Sequence, residues 1–264
     1  MRTIRAFILL AAAAACFLIG SPAFATSTAP ISTYLAEASW TYQDITGPDH
    51  WAELDPTFET CGSGKGQSPI NLTAAESADL ANPGFHYEPV PLNILNNGHT
   101  VQVPYAPGSF ITLNGQRYNL LQFHFHSPSE HAIEGQPWDA ELHLVHQNEA
   151  GNLAVVAVFL QADDANASAQ YAALSAQLPA EAGEKLRTDK MINAQNLLPG
   201  ETTTYRYSGS LTTPPCSESV TWLVMTDPVS LSVSEIDDYK KLLNHNNRPL
   251  QLLNSRTVQM DMSP

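Results

Sequence analysis

Gln122-Phe123-His124-Phe125-His126, read together with Glu141-Leu142-His143-Leu144-Val145-His146, decides how this chain is understood. In the first stretch two imidazoles sit at i and i+2. On a β-strand such side chains leave from one face, and Phe123 and Phe125 leave from the other. The second stretch alternates in the same way and offers a third imidazole with a carboxylate two residues before it. If the two strands are neighbours, His124, His126 and His143 converge on one point. Three neutral nitrogens with one open position form the ligand set of a catalytic zinc site. Gln122 and Glu141, each two residues before a histidine, are the acceptors that metal-bound imidazoles need for their other N–H. His146 lies on the opposite face from His143 and is left out of the set.

Short β-like runs extend outward from these two strands. Phe110 to Leu113 and Gln116 to Tyr118 flank Asn114-Gly115, the signal for a type I′ hairpin. Asn148 to Gly151 reads as the turn into Leu153 to Leu160. That run is almost wholly apolar and is expected to be a central strand buried on both faces. Val101 to Tyr105 and Val220 to Met225 are further strands. Helical spacing predicts a helix over Ser168 to Leu178, and the capping box Ser232-Val233-Ser234-Glu235 opens another through Leu243, ended by Asn246 to Pro249. Trp40 to Ser68 reads as loops with a helical turn at His50-Trp51. Strand content of this kind permits a sandwich or a barrel, with a few short helices outside.

The N-terminus reads as an export signal. Arg2 and Arg5 precede an apolar run from Ala6 to Gly20, and Ala23-Phe24-Ala25 fits an A-x-A cleavage site. Cys16 would permit lipid attachment, but Phe17-Leu18-Ile19 carry the apolar run past it. The run is too short for a stable membrane span, and no other stretch could cross a bilayer. Residues 1–25 are therefore assigned as signal peptide and 26–264 as one domain, beginning with a loose arm to Glu37. The expected location is periplasmic or secreted. The formal charge of −14 becomes −16 once Arg2 and Arg5 are removed, with 10 basic against 26 acidic residues. That balance argues against nucleic acid, which needs basic patches. Of three cysteines, Cys61 and Cys216 remain after cleavage, and an oxidising compartment favours their pairing over two free thiols.

Thr212 and Glu130 are the other candidates for chemistry. A hydroxyl such as that of Thr212, in Ser210-Leu211-Thr212-Thr213-Pro214-Pro215, can accept a proton from a nucleophile only if its own proton goes elsewhere. Glu130, in Ser127-Pro128-Ser129-Glu130-His131, is a carboxylate that could take it. Solvated-loop and ordinary-turn readings of these residues stay open on spacing alone.

With these residues in hand, the chain resembles the α-class carbonic anhydrases, in particular bacterial exported members. The resemblance spans nearly the whole mature region in the same order. It covers Trp40-Thr41-Tyr42, Gly66 to Ile70, Asn96 to His99, Gln122 to His126, Ser129 to His131, Ala140 to His146, Leu211 to Pro215, Val220 to Trp222 and Asn246 to Pro249. It implies a single mixed, β-dominated domain built on a large, mostly antiparallel twisted central sheet with short peripheral helices. It implies a Zn2+ cofactor on His124, His126 and His143, and reversible hydration of carbon dioxide to bicarbonate and a proton by attack of zinc-bound hydroxide. Thr212 would orient that nucleophile and pass its proton to Glu130, with Thr213 on the substrate side. Val145, Val155, Leu211 and Trp222 would form the apolar pocket for CO2. His99 would shuttle protons, with Tyr42, Asn97 and Gln102 ordering waters between; the family usually has Asn where Gln102 stands. Cys61 and Cys216 match a disulfide of exported members, and the Ser68-Pro69 and Pro214-Pro215 bonds match cis bonds of relatives. A homodimer is compatible with all of this. Two other readings are a weakly catalytic binding module on the same fold and a zinc esterase. The intact ligand and gate positions weigh against the first; for the second, activated-ester cleavage is expected only as a side activity.

Overall fold

The computed structural model describes residues 39–261, so the expected export signal and N-terminal arm lie outside the described residues. Among them, 13 strands join one sheet. Its main path runs Lys185–Ile192, Val90–Asn96, Val101–Pro104, Gln116–His126, Ala140–Gln147, Leu153–Ala162, Glu218–Met225, Thr204–Ser210, Gln259–Asp261, Glu76–Ala78. Pairing is antiparallel along this path, except that Leu153–Ala162 runs parallel to Glu218–Met225 and Gln259–Asp261 parallel to Glu76–Ala78.

The local signals explain the middle of the sheet. Asn114 and Gly115 both take positive φ, 50° and 75°, and Leu113 pairs with Gln116 across the two-residue turn. Gly151 (φ 86°) and the bond from Asn148 N to Asn152 O close the turn into Leu153–Ala162. That strand is covered on both faces. Val156, Val158 and Leu160 pack in the larger core with Phe123, Phe125, Leu142 and Leu144, while Val155, Ala157 and Phe159 pack in a second core with Trp222.

The helices are short and peripheral. Ser232 caps Val233–Leu243 through a full capping box with Glu235, and Asn244, in the left-handed region at φ 47°, ends it before Asn246 is reached. The other predicted helix is shorter than its apolar spacing suggests. It covers Ala169–Ser175, with Leu178 outside, because a residue before proline (here Pro179) is pushed out of helical geometry. The loop region before Ser68 holds more helix than expected, with short turns at Asp44–Thr46, Trp51–Leu54, Pro56–Phe58 and Thr60–Ser63. Cys61 and Cys216 form a disulfide with Cα atoms 5.0 Å apart. Ser68-Pro69 and Pro214-Pro215 are cis, and so is Ser127-Pro128. No helix among the described residues is long and apolar enough to cross a membrane.

Candidate metal centre

The sheet register brings the three histidines together. His143 lies directly opposite His124 across the antiparallel pair, and Glu141 opposite His126. Because side chains alternate, these residues share one face of adjoining strands. The ring centroids of His124, His126 and His143 are 4.6 to 5.2 Å from one another. One nitrogen from each lies within 4.8 Å of the others.

Each ring is turned by an acceptor on its far side. His124 Nδ1 donates to Gln122 Oε1 at 2.8 Å, His126 Nδ1 to the carbonyl of Asn246 at 2.7 Å, and His143 Nε2 to Glu141 Oε1 at 2.8 Å. A carbonyl or carboxylate can only accept, so these contacts fix the tautomers. They leave Nε2, Nε2 and Nδ1 as lone-pair donors. Burial, and then its imidazole neighbours, hold His124 well below the usual histidine pKa; burial likewise lowers His126, against the opposing pull of Glu130. Neutral rings are the form that binds a metal. His126 Nε2 is buried with no hydrogen-bond partner among the described residues. An orphaned buried nitrogen beside two other inward-facing lone pairs fits a divalent cation and little else.

His146 stays outside this cluster, as its strand position requires. Its Nε2 meets the Tyr87 hydroxyl at 2.8 Å and its Nδ1 the Ala154 carbonyl at 3.3 Å. Burial drives its pKa down to about 3.

Around the cluster, Glu141 is a buried carboxylate with four donors. Oε2 accepts the backbone N–H groups of Glu130 and His131, both at 2.8 Å, and Oε1 accepts from His131 Nδ1 and His143 Nε2. Burial pushes its pKa up, but the facing His131 and His143 and their hydrogen bonds hold it well below the usual carboxylate range. Glu130 is 2 % exposed. Its Oε1 accepts from Arg248 N at 2.8 Å, while Oε2 has no hydrogen-bond partner among the described residues and lies 3.6 Å from His126 Nε2 and 3.9 Å from His143 Nδ1. Thr212 is buried on the loop after Thr204–Ser210, and its hydroxyl does not bond that oxygen. The bonds Leu211 N to Ser217 O and Cys216 N to Thr213 O shape this loop.

Beside the histidines runs an apolar row. Val145 pairs with Val155, and Val155 with Trp222, across three neighbouring strands. Leu211 packs against the same cluster, and Trp222 Nε1 donates to Ser210 O at 3.0 Å, which seats the indole. Thr213 is half-buried on the loop. Gln102 pairs with His124 from the other side, so it shares the histidine face. His99 follows Gly98 (φ 88°) in a turn held by Asn97 Oδ1, which accepts from His99 N and Thr100 N. Its ring stacks on Trp40 at 3.8 Å with the planes 8° apart, and burial lowers its pKa. Burial, and then the charge of Glu130, raise the pKa of Tyr42.

Sequence reasoning gave no role to four residues that build this site. His131 bridges Glu141 and the Tyr207 hydroxyl (2.7 and 2.6 Å), and Tyr207 in turn meets Ser68 Oγ at 2.8 Å. Asn246 turns His126, and Arg248 holds Glu130. His131, Asn246 and Arg248 lie in stretches that carry the family resemblance, but Tyr207 has no sequence signal of its own, and Tyr207, Asn246 and Arg248 meet partners far away in the chain.

Comparison with known proteins agrees with this architecture. Residues 46–262 match the family described as eukaryotic-type carbonic anhydrase. A carbonic anhydrase of Nostoc sp. is 41% identical over 250 residues, spanning 91% of this chain and 94% of its own. One from Pectobacterium carotovorum is 42% identical over 222 residues, spanning 83% and 89%. The α-carbonic anhydrase of Thermovibrio ammonificans, solved with the inhibitor sulfanilamide, superimposes with a TM-score of 0.81 at 39% identity, covering 84% of this chain and 99% of that one. With the fold, the histidine cluster and a match along most of its length in agreement, the chain belongs to the α-class, or eukaryotic-type, carbonic anhydrase family.

Proposed function

We propose that this protein is a zinc enzyme catalysing the reversible hydration of carbon dioxide to bicarbonate and a proton, outside the cytoplasm, after loss of residues 1–25. The observation that carries the reading is the convergence of three imidazoles whose outer nitrogens are all engaged by fixed acceptors. His124 Nε2, His126 Nε2 and His143 Nδ1 would hold the zinc. When bound, the ion supplies Lewis acidity that lowers the pKa of water to the neutral range, chemistry for which carbonic anhydrase is itself the reference case.

The remaining work belongs to the chain. Val145, Val155, Leu211 and Trp222 give CO2, a small apolar molecule, a wall it can touch without strong binding. Glu130 Oε2 is a buried acceptor free to take the Thr212 hydroxyl proton, which leaves the Thr212 oxygen to accept from the nucleophile and so to orient it. Thr213 lines the substrate side of the same loop. His99, an imidazole whose pKa burial lowers from its ordinary value near neutrality, carries protons between the site and buffer. Tyr42, Asn97 and Gln102 order the water between. The disulfide fits a compartment where thiols oxidise.

The test is zinc analysis joined to a stopped-flow CO2 hydration assay. One zinc per chain with a rate far above buffer is expected. Zinc without hydration would make the chain a binding module, and ester turnover greatly exceeding hydration at saturating substrate would make it an esterase.

A further inference from the structure

Arg248 is a buried cation that the mechanism does not use. It is 2 % exposed, and its guanidinium faces neutral oxygens: Nη1 donates to Gln67 Oε1 (2.8 Å) and Ser68 O (2.9 Å), and Nη2 to Cys61 O (2.8 Å). The Trp51 ring lies 5.6 Å beneath it. The contrast with Arg206, which grips Asp261 directly at 2.6 Å, is plain. Burying a guanidinium against carbonyls alone is costly, and the cost shows in a pKa brought down by desolvation to about 10, with the charge of Glu130 opposing the fall. A residue kept at such cost is expected to serve something its side chain alone does not reveal.

Among the described residues, the only bond from this residue to an acid is made by its backbone. Arg248 N donates to Glu130 Oε1 at 2.8 Å. That bond decides which carboxylate oxygen is occupied and which, Oε2, is left facing the histidine cluster. The three side-chain bonds anchor residue 248 to the Cys61 to Ser68 segment. Gln67 carries the anchor further, because its Nε2 donates to Cys216 O at 3.1 Å, on the loop that bears Thr212, and to Glu218 Oε1 at 2.9 Å, at the start of the strand that follows that loop. One guanidinium therefore sets the register between the backbone that holds Glu130 and the loop that presents Thr212.

We infer that Arg248 is a positioning residue for the Glu130–Thr212 proton gate, acting through its guanidinium clamp on Cys61, Gln67 and Ser68. This rests on the gate proposed above. While Glu130 takes the Thr212 proton, the Thr212 oxygen can only accept, so it discriminates for ligands that carry a proton and against those that carry none. A gate out of register loses that discrimination.

The readout is a ratio of affinities on the zinc-loaded protein. Sulfanilamide, whose bound nitrogen keeps a proton, is compared with azide, which has none. The variants are Arg248→Met, Glu130→Gln and the pair together. Arg248→Met is expected to lower the preference for sulfanilamide at least tenfold, to retain a full zinc complement, and to add nothing in the Glu130→Gln background. Arg248→Lys, which keeps the charge but not the fork, should recover only part of the preference. An unchanged ratio in Arg248→Met, with Glu130→Gln altered, overturns the positioning role and leaves the gate standing. So does an additive loss in the pair. An unchanged ratio in Glu130→Gln removes the gate and this inference with it. Should Arg248→Met fail to fold, Gln67→Leu cuts one prong of the clamp and the link to Cys216, and must shift the ratio in the same direction; a ratio left unchanged in Gln67→Leu overturns the inference.

Discussion

Acid stability offers a sharp test at one buried histidine that stands outside the metal cluster. His146 has Nε2 on the Tyr87 hydroxyl and Nδ1 on the Ala154 carbonyl, with no carboxylate among the described residues bonded to it. Its pKa falls from 6.5 to about 3, chiefly through desolvation. In the unfolded chain the same imidazole titrates near 6.5. Below that pH the unfolded state binds a proton that the native state refuses. The contribution of His146 is therefore fully present above pH 6.5 and is lost as pH falls toward the folded value. At about 1.4 kcal/mol per unit, moving from neutrality to roughly pH 4.5 removes about 2.7 kcal/mol of native stability. That is a large share of the roughly 5–15 kcal/mol that a domain of this kind possesses. His146→Gln keeps a donor and an acceptor in place but does not titrate. Urea denaturation of both proteins, equally zinc-loaded, at several pH values between 7.5 and 4.5 isolates the effect. The variant should start less stable and lose about 2–3 kcal/mol less over the interval. Parallel pH slopes for the two proteins would refute the claim that His146 folds neutral.

Changing His143 to Ala should abolish zinc retention through dialysis, and unchanged stoichiometry by metal analysis would remove it from the ligand set. Changing Glu141 to Gln should weaken zinc affinity by about 10–100-fold, read by competition with a chelator, because the carboxylate turns His143 and sharpens its basicity. Changing His99 to Ala should slow turnover mainly at low buffer concentration, with recovery on adding imidazole; equal rates in both buffers would mean protons leave by another route. Reducing the Cys61–Cys216 bond, which spans 155 residues, should lower the melting temperature by about 10 °C or more, from a chain-entropy contribution of about 5 kcal/mol.

Much of this molecule was legible without coordinates because its signals are local. Asn114-Gly115 dictates a hairpin through two left-handed residues, and Ser232 with Glu235 dictates a helix start. Alternation around His124 and His126 dictates which face they share, and the apolar run from Leu153 dictates a strand covered on both sides. The edge strand Lys185–Ile192, mostly polar and half-exposed, carries no comparable signal and was not picked out.

What spacing alone put on offer, then, is three imidazoles with acceptors at i−2 for His124 and His143; the pairing of Glu130 with Thr212 stayed open on spacing, and the apolar row came only with the family resemblance. Tertiary structure decided how that chemistry is aimed. The acceptor for His126 is a backbone carbonyl 120 residues further on, and the donor to Glu130 is a backbone amide 118 residues away. Backbone groups are identical at every position, so no residue type marks them in advance. Only the closing of the chain on itself selects which carbonyl turns a ring and which amide fixes a carboxylate.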